Sequence, residues 1–312
     1  MNFSQLEYVI AVDNYRQFNL AAEKCFVTQA TLSMMIRKLE EELDIKIFER
    51  SRQPVTPTRE GEQIILRARQ IVAEANALRS YVKDIRGEIS GELRLGVIPT
   101  LAPYLLPLFL RSFTEKFPGL KIFIRELVTD EIITKLRTGE LDIGLLATPL
   151  HEASIDEHPL FYEEFFAYVS RNEKLARKKY LLPKEIYLNS LWLLEEGHCL
   201  RNQVFNLCEL KMKDSDSDRL HYQAGSIETL INLVDKNDGI TIVPYLATQM
   251  LKPGQKKNLR EFANPKPVRE VSLVTNKNFA RRKLLEHLKE EITGVVPASM
   301  LNPSKTKVTA LV

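Results

Sequence analysis

Cysteine is scarce in this sequence, with three residues out of 312. Secreted chains of this size usually carry several paired cysteines, so an odd three favours a reducing compartment, in which a disulfide would be transient and chemical in purpose. The sequence also lacks a run of about 18 apolar residues, and Met1 is not followed by a charged and then an apolar segment. These absences predict a cytoplasmic protein that does not enter the membrane.

Several binding fingerprints are absent as well. The sequence contains neither G-x-G-x-x-G nor G-x-x-x-x-G-K-[ST], which argues against a standard nucleotide site. It has no C-x-x-C pair and no two histidines spaced as in a structural zinc site, so we predict no metal and no cofactor. The formal net charge of +3 permits a nucleic-acid partner without arguing for one.

The first part of the chain reads as short amphipathic helices. LEYVIAVDNY and NLAAEKCF repeat apolar residues at a helical period, and Cys25 falls on the apolar side. VTQATLSMMIRKLEEEL follows, with Thr28 as its predicted N-cap, and a proline-interrupted segment containing Arg50, Arg52 and Arg59 comes after it. This order fits a winged helix-turn-helix, although periodicity alone also fits a small helical bundle with a solvated charged face.

The run AAEKCFVTQATLSMMIRKLEEELDIKIFER, followed by VTPTREG, resembles the N-terminal signature of LysR-type transcriptional regulators. The resemblance implies a DNA-binding domain over residues 1–58. The second helix of its helix-turn-helix motif, the recognition helix, is expected to enter the major groove. Ala30 and Pro57 depart from the residues usual in that family. The implied DNA-binding residues are Gln29, Thr31 and Ser33 at or near bases, and Arg37, Arg50 and Arg52 at the DNA backbone or minor groove.

A long helical pattern covers residues 59–88. Its apolar residues recur on one side from Ile64 to Val82, and no globular core lies beside it in the sequence. The simplest partner is a second copy of the same helix, so we predict a dimerisation helix that presents two DNA-reading heads to a two-fold site. The alternative is a helix packed on its own domain. A hinge is expected near Gly91.

Residues 91–298 have the pattern of an α/β domain, for which we predict mostly parallel strands. The apolar runs are ELRLGVI, KIFIREL, LDIGLLAT, FFAYVS, SLWLLE, GITIVP and VREVSLVT. GELRLGVIPTLAPYLLP and GITIVPYLA resemble the effector domain of the same family, which implies a two-lobed periplasmic-binding-protein-like fold with a sensing cleft. Residues 299–312 lack a periodic apolar face and are predicted to form a mobile tail.

Two of the three cysteines lie close together in GHCLRNQVFNLC, as Cys199 and Cys208. If this segment is one helix, nine residues separate the two Cα atoms by about 13 Å, whereas a disulfide needs them within about 7 Å. The pair can therefore bond only if the segment unwinds. A helix N-terminus beside His198 and Arg201 should lower the pKa of the Cys199 thiol. Spacing alone still leaves open two cysteines that are merely buried.

The segment GHCLRNQVFNLC also resembles the redox-active segment of the hydrogen-peroxide-sensing members of the LysR-type family. The resemblance implies that Cys199 is the peroxidatic cysteine and Cys208 the resolving one. It departs from the pattern at Asn202, where an acidic residue is common. The implied peroxide-pocket residues are Thr100, Thr129, His198, His221 and Arg269.

The same resemblance implies a set of partners. These are promoter DNA, hydrogen peroxide, RNA polymerase, a thiol reductant that resets the switch, and further copies of the chain in a homotetramer built as a dimer of dimers. The expected function is the activation of antioxidant genes by a cytoplasmic transcription factor under oxidative stress.

Two other functions use the same residues. A LysR-type regulator of a small-molecule metabolite would keep the fold and the DNA site but leave the cysteines idle. A thiol peroxidase would also need an activated thiolate, but it leaves the DNA-reading head and the long helix without a role. We therefore predict that the chain is not an enzyme.

Overall fold

The computed structural model describes residues 1–85, 89–210, 224–302 and 306–308. The chain divides into two compact units, one built mainly on residues 1–88 and the other mainly on the remainder. Each unit has a hydrophobic core of its own.

Three short helices form the core of the first unit. Val9, Leu32 and Ile36 are completely buried there. Thr28 caps the third helix as predicted, because its hydroxyl accepts a hydrogen bond from the backbone N–H of Thr31 at 3.1 Å. The helices are α1 (Phe3–Tyr15), α2 (Phe18–Lys24) and α3 (Gln29–Leu43).

A small antiparallel pair follows α3 and forms the predicted wing. Strand β1 (Phe48–Glu49) pairs with β2 (Thr56–Pro57), with Phe48 opposite Pro57. Phe48 is buried, and its ring meets that of Phe18 edge-on at 6.1 Å. The wing is therefore anchored in the helical core.

Helix α4 (Arg59–Ile85) is the predicted long helix. Near its beginning, Ile65 and Ala68 are buried in the core of the first unit. Further along, Ile71, Leu78, Tyr81 and Val82 are exposed, and Leu78 keeps 65% of its surface accessible. Packing in the core of the first unit thus explains only the first part of the apolar stripe, and the later side chains remain exposed among the described residues.

Three parallel strands begin the second unit. Strand β3 pairs in parallel with both β4 and β5, and two helices make the crossovers between them. Every residue of β5 is buried, as expected for a strand in the interior of a parallel sheet. The elements are β3 (Gly91–Val97), α5 (Ala102–Lys116), β4 (Leu120–Glu126), α6 (Thr129–Arg137) and β5 (Ile143–Thr148).

Two long strands, β6 (Ile155–Val169) and β10 (Lys266–Asn276), run antiparallel to each other through the sheet. The strand order is β4-β3-β5-β10-β6-β9-β7, and β8 also pairs with β6. The prediction of mostly parallel strands is wrong. Strand β10 is antiparallel to β5, and strand β6 is antiparallel to three strands, β8, β9 and β10. The other strands are β7 (Tyr180–Leu181), β8 (Ile240–Pro244) and β9 (Leu259–Phe262).

The run SLWLLE does not form the predicted strand. Leu191 bridges to Ile240 and Leu194 bridges to Ala224, so the segment makes single contacts with two different neighbours instead of one continuous ladder. A 3₁₀ helix, Leu188–Ser190, leads into it.

Five further α-helices belong to the described residues of the second unit. After the last of them, Met300 is buried and a short strand, β11 (Thr306–Val308), pairs in parallel with β10. This arrangement differs from the expectation of a tail without a core contact. The helices are α7 (Cys199–Leu207), α8 (Ile227–Lys236), α9 (Tyr245–Gln249), α10 (Pro253–Lys256) and α11 (Arg282–Val295).

Candidate redox site and DNA-reading surface

Helix α7 begins at Cys199 because of the backbone that precedes it. Gly197 has a φ of 91°, a left-handed conformation that glycine adopts without steric cost. His198 follows in an extended conformation as the N-cap, without a side-chain hydrogen bond to the helix. Cys199 therefore lies on the first turn, where backbone N–H groups favour a negative charge.

The thiol of Cys199 is nonetheless deeply buried, with 8% of its surface exposed. Burial raises the pKa of the Cys199 thiol, while the Arg269 guanidinium, the Thr129 hydroxyl and the backbone of Leu200 and Ala147 act in the opposite direction. The expected lowering of this pKa is thus wrong, because desolvation outweighs the charges that favour the thiolate.

Arg201 was expected to lower the pKa of the Cys199 thiol, but its guanidinium is engaged elsewhere. Its guanidinium donates to the carbonyl of Leu194 at 2.9 Å and lies over the ring of Phe205 at 5.2 Å. The cation beside Cys199 comes instead from Arg269, seventy positions away in the sequence.

Arg269 is fully buried and held from two sides. Its Nη1 donates to Thr100 Oγ1 at 3.0 Å, and its Nη2 donates to the Thr100 carbonyl at 3.1 Å. On the other side it forms an ion pair with Glu163, also fully buried, at 2.7 Å. Glu163 in turn accepts the backbone N–H of Leu246 at 2.7 Å. The charge of Arg269 is therefore both oriented and balanced.

Three of the remaining predicted pocket residues differ in how they are engaged. Thr129 Oγ1 is buried and makes no regular hydrogen bond among the described residues, although the hydroxyl is near enough to favour the Cys199 thiolate. His198 is buried, with Nε2 3.6 Å from Glu195 Oε1. His221 lies outside the described residues. The structure thus brings Thr129 and Arg269 to Cys199, and Thr100 is linked to this group through its hydrogen bonds to Arg269.

Cys208 is the C-cap of α7 and directly follows its last residue, Leu207. Its backbone N–H donates to the Val204 carbonyl at 3.0 Å, and only 4% of its surface is exposed. Burial raises the pKa of the Cys208 thiol to about 12. Both cysteines are free thiols. One continuous helix separates them, which corresponds to about 13 Å between Cα atoms.

Two residues of this region escaped the sequence analysis. Gln203 lies one turn after Cys199, and both atoms of its buried amide lack a hydrogen-bond partner among the described residues. Glu163 is the buried counter-ion of Arg269. The available signals were an amide among the apolar residues of α7 and a carboxylate within the apolar run LFYEEFFAYV, and neither signal by itself indicates burial.

The predicted DNA-binding side chains lie in the first unit on α3 and the wing. Gln29, Thr31, Arg37 and Arg52 are exposed. Ser33 is half-buried and accepts a hydrogen bond from Arg50 Nη1 at 3.1 Å.

Arg50 is also held in other directions. Its Nη2 contacts Glu40 at 2.7 Å, and its guanidinium lies 5.2 Å from the centre of the Phe18 ring. The wing arginine and the recognition helix therefore form one connected surface. Arg37 pairs loosely with Glu41 at 3.4 Å while keeping 75% of its side chain exposed, so it is free to reach a phosphate.

Neither a metal site nor a membrane span is found in the part of the chain that the structure describes. No group of three or more histidine, cysteine, aspartate or glutamate side chains there could hold a metal ion. No helix in the same residues has the length and apolar character needed to cross a membrane.

Comparison with known proteins agrees with this architecture. Residues 3–62 match the family described as bacterial regulatory helix-turn-helix protein, lysR family, and residues 86–296 match the LysR substrate binding domain. The hydrogen peroxide-inducible genes activator of Haemophilus influenzae is 35% identical over 298 residues, which are 95% of this chain and 97% of the relative.

Solved structures lead to the same relatives. A full-length cysteine-to-aspartate variant of OxyR from Pseudomonas aeruginosa is 31% identical, covers 95% of this chain and 99% of its own, and has a TM-score of 0.79. A hydrogen-peroxide-bound cysteine variant of OxyR from Corynebacterium glutamicum is 27% identical, covers 94% and 92%, and has a TM-score of 0.62. The chain therefore belongs to the LysR family of bacterial helix-turn-helix transcription regulators and is not an enzyme.

Proposed function

We propose that this regulator senses hydrogen peroxide through Cys199 and Cys208 and controls antioxidant genes by binding promoter DNA. The observation that carries the proposal is the placement of two buried free thiols at the two ends of α7, one of them beside the Arg269 guanidinium. The names of the relatives support it, since they are activators of genes that hydrogen peroxide induces.

The first step is the oxidation of Cys199. The thiol loses its proton to water, and the thiolate attacks one oxygen of hydrogen peroxide, so that the O–O bond breaks, a sulfenic acid forms and hydroxide leaves. Arg269 and Thr129 stabilise the thiolate when it forms. Because Cys199 is buried, the site favours a small neutral oxidant that can enter the pocket over bulky reagents.

The second step joins the cysteines. The sulfur of Cys208 attacks the sulfur of the sulfenic acid, the S–O bond breaks, and water leaves as the disulfide forms. Burial keeps Cys208 protonated. The intact helix keeps it too far from Cys199 for a disulfide, so α7 must unwind before the thiol can react. The unsatisfied amide of Gln203 in the middle of α7 lowers the cost of that unwinding.

The unwound segment provides the change of shape that a regulator needs. A rebuilt surface in the second unit alters how effector domains pair, which changes the spacing of the DNA-reading heads. The partners of this scheme are further copies of the chain in a homotetramer, RNA polymerase, and a thiol reductant that restores the free cysteines in the cytoplasm. His221 completes the peroxide pocket in this proposal, together with His198 and Thr100.

The DNA contacts proposed for the first unit follow the exposure of its side chains. Gln29 and Thr31 are exposed on the first turn of α3 and are proposed to read base edges. Arg50 orients Ser33 through the contact described above, so the two are proposed to act as one contact. Arg37 and Arg52 are proposed to bind phosphates or the minor groove.

The decisive experiment is alkylation followed by intact-mass measurement and peptide mapping. Reduced full-length protein is treated with one equivalent of hydrogen peroxide for seconds, quenched and alkylated. We expect Cys199 and Cys208 to be protected together as a linked pair, while Cys25 is alkylated as before. A Cys199→Ser variant should leave Cys208 free, because no sulfenic acid then forms.

The opposite result would identify a different sensor. If Cys199 and Cys208 both remain alkylated after peroxide, the cysteines are bystanders. The chain would then be a LysR-type regulator whose effector cleft binds a small-molecule metabolite.

A further inference from the structure

A strongly basic surface lies on the second unit, away from the cysteine pair in sequence. It consists of residues 171–187 and 252–260, which we call the basic surface. These 26 residues contain ten lysines and arginines against two glutamates. The basic residues are Arg171, Lys174, Arg177, Lys178, Lys179, Lys184, Lys252, Lys256, Lys257 and Arg260.

The distribution of charge makes this concentration unusual. The whole chain has a net charge of only +3. Residues 1–58, which contain the DNA-reading helix, carry seven basic and eight acidic residues. The DNA-reading head is therefore not cationic overall, whereas the basic surface has an excess of eight positive charges, from ten basic and two acidic residues.

The two segments form one continuous surface in the fold. Strand β7 pairs in parallel with β9, with Tyr180 opposite Glu261. Arg260 connects the segments directly, because its Nε donates to the carbonyl of Ala176 at 3.1 Å and its Nη1 donates to that of Lys257 at 2.8 Å. Arg260 thus joins the backbone of the two segments that carry the other cations.

Two glutamates in or next to the surface are engaged by lysines. Glu185 contacts Lys178 Nζ at 2.5 Å and accepts the Leu182 N–H at 3.0 Å. Glu261 contacts Lys266 at 3.1 Å. Within the basic surface, the exposed basic residues that form no ion pair with a described residue are Arg171, Lys174, Arg177, Lys179, Lys184, Lys252, Lys256 and Lys257.

We propose that the basic surface binds the phosphate backbone of duplex DNA, independently of sequence, as a second DNA contact in addition to the reading head. Lysine acts as a point charge toward phosphates and needs no fixed geometry, which suits contacts that do not read bases. The exposed side chains of Tyr180 and Tyr187 add hydroxyl groups that can donate to phosphate oxygens.

Duplex DNA fits this surface better than an acidic protein segment. The family to which the chain belongs binds DNA, so a polyanion is already present when the regulator acts. The head carries no net positive charge of its own, yet the affinity of proteins for DNA depends chiefly on cations that displace counterions from phosphates. The basic surface supplies those cations.

The test compares the salt dependence of DNA binding by full-length reduced protein. The variant carries Lys174→Gln, Arg177→Gln and Lys257→Gln. The probe is a long duplex of random sequence, titrated at several potassium chloride concentrations. We expect weaker binding and a slope of log K against log[salt] that is shallower by about 0.9 for each phosphate contact removed. Far-UV circular dichroism checks that the variant folds.

A control variant separates a local contact from a general effect of charge. Lys121→Gln, Arg125→Gln and Arg282→Gln remove the same charge from exposed positions elsewhere on the second unit. The proposal predicts that this control keeps the parental slope. Equal slopes for both variants, or no change in either, would overturn it. So would a basic-surface variant that loses affinity for polyglutamate while its DNA slope is unchanged, because the partner would then be an acidic polypeptide. No peroxide is used, so the result is independent of the cysteine switch.

Discussion

The buried pair of Glu163 and Arg269 predicts opposite effects on Cys199 when each charge is removed separately. Glu163→Gln keeps the shape of the side chain but leaves the positive charge of Arg269 without its counter-ion. The thiolate of Cys199 is then favoured, and the pKa of the Cys199 thiol should fall. Arg269→Gln removes the cation and leaves the Glu163 carboxylate, so the pKa should rise.

The structure also gives the magnitude of the cost in stability. Both side chains are completely buried, and their nearest atoms are 2.7 Å apart. Removing one partner of such a pair typically costs about 3–5 kcal/mol, because the other charge remains buried without compensation. Arg269 keeps its two hydrogen bonds to Thr100 in Glu163→Gln, which places that variant toward the lower end of the range. Thermal unfolding of each variant measures the loss.

The assay for the pKa is the rate of alkylation of Cys199 as a function of pH. Peptide mapping isolates the signal of Cys199 from those of the other cysteines, and a Cys25→Ser background removes the half-buried thiol. Looser packing would raise the rate at every pH, whereas a change of charge moves the midpoint of the profile. Midpoints that move in the same direction in both variants would refute the electrostatic reasoning.

Three further predictions follow from α7 and α4. Burial raises the pKa of the Cys208 thiol from 9.0 to about 12. The contribution of this thiol to stability is therefore present below pH 9 and is lost as the pH rises toward 12. In Cys208→Ala, the unfolding free energy measured in urea should fall less steeply above pH 9, by about 1.4 kcal/mol per pH unit. Gln203→Met removes an unsatisfied buried amide and should stabilise the reduced protein by about 1–3 kcal/mol. Disulfide closure, measured by quenched alkylation, should then become slower. Faster closure would contradict the role assigned to Gln203. Leu78→Glu places a charge on the exposed stripe of α4, so light scattering should show a smaller assembly at equal concentration, and an unchanged mass would exclude this stripe from the dimer.

The sequence predicted the elements that depend on local rules. The start of α3 at Thr28 followed from side-chain capping, and the length of α4 followed from its helical period. The need for unwinding depended on the condition that one helix separates the two cysteines, and the structure meets that condition with α7. These features involve residues within a few positions of one another, where periodicity and capping suffice.

Local patterns did not predict the direction of the strands. They also did not show that SLWLLE makes only isolated bridges and no strand. The direction of β10 depends on pairing with β5 and β6, which lie more than 90 residues earlier in the chain. Leu191 and Leu194 each find a different partner, so an apolar run that looks like a strand makes only isolated bridges. Apolar composition predicts burial, but long-range register decides the type of pairing.

The sequence by itself determined that two cysteines lie nine positions apart, and its resemblance to LysR-type regulators indicated a helix-turn-helix at the start of the chain. The tertiary structure alone decided the chemistry of the thiol. Thr100 and Arg269 are 169 positions apart, and Glu163 and Arg269 are 106 apart, yet all three meet in one buried cluster beside Cys199. The pKa of a thiol depends on desolvation and on charges within a few ångströms, and only the folded chain sets these distances.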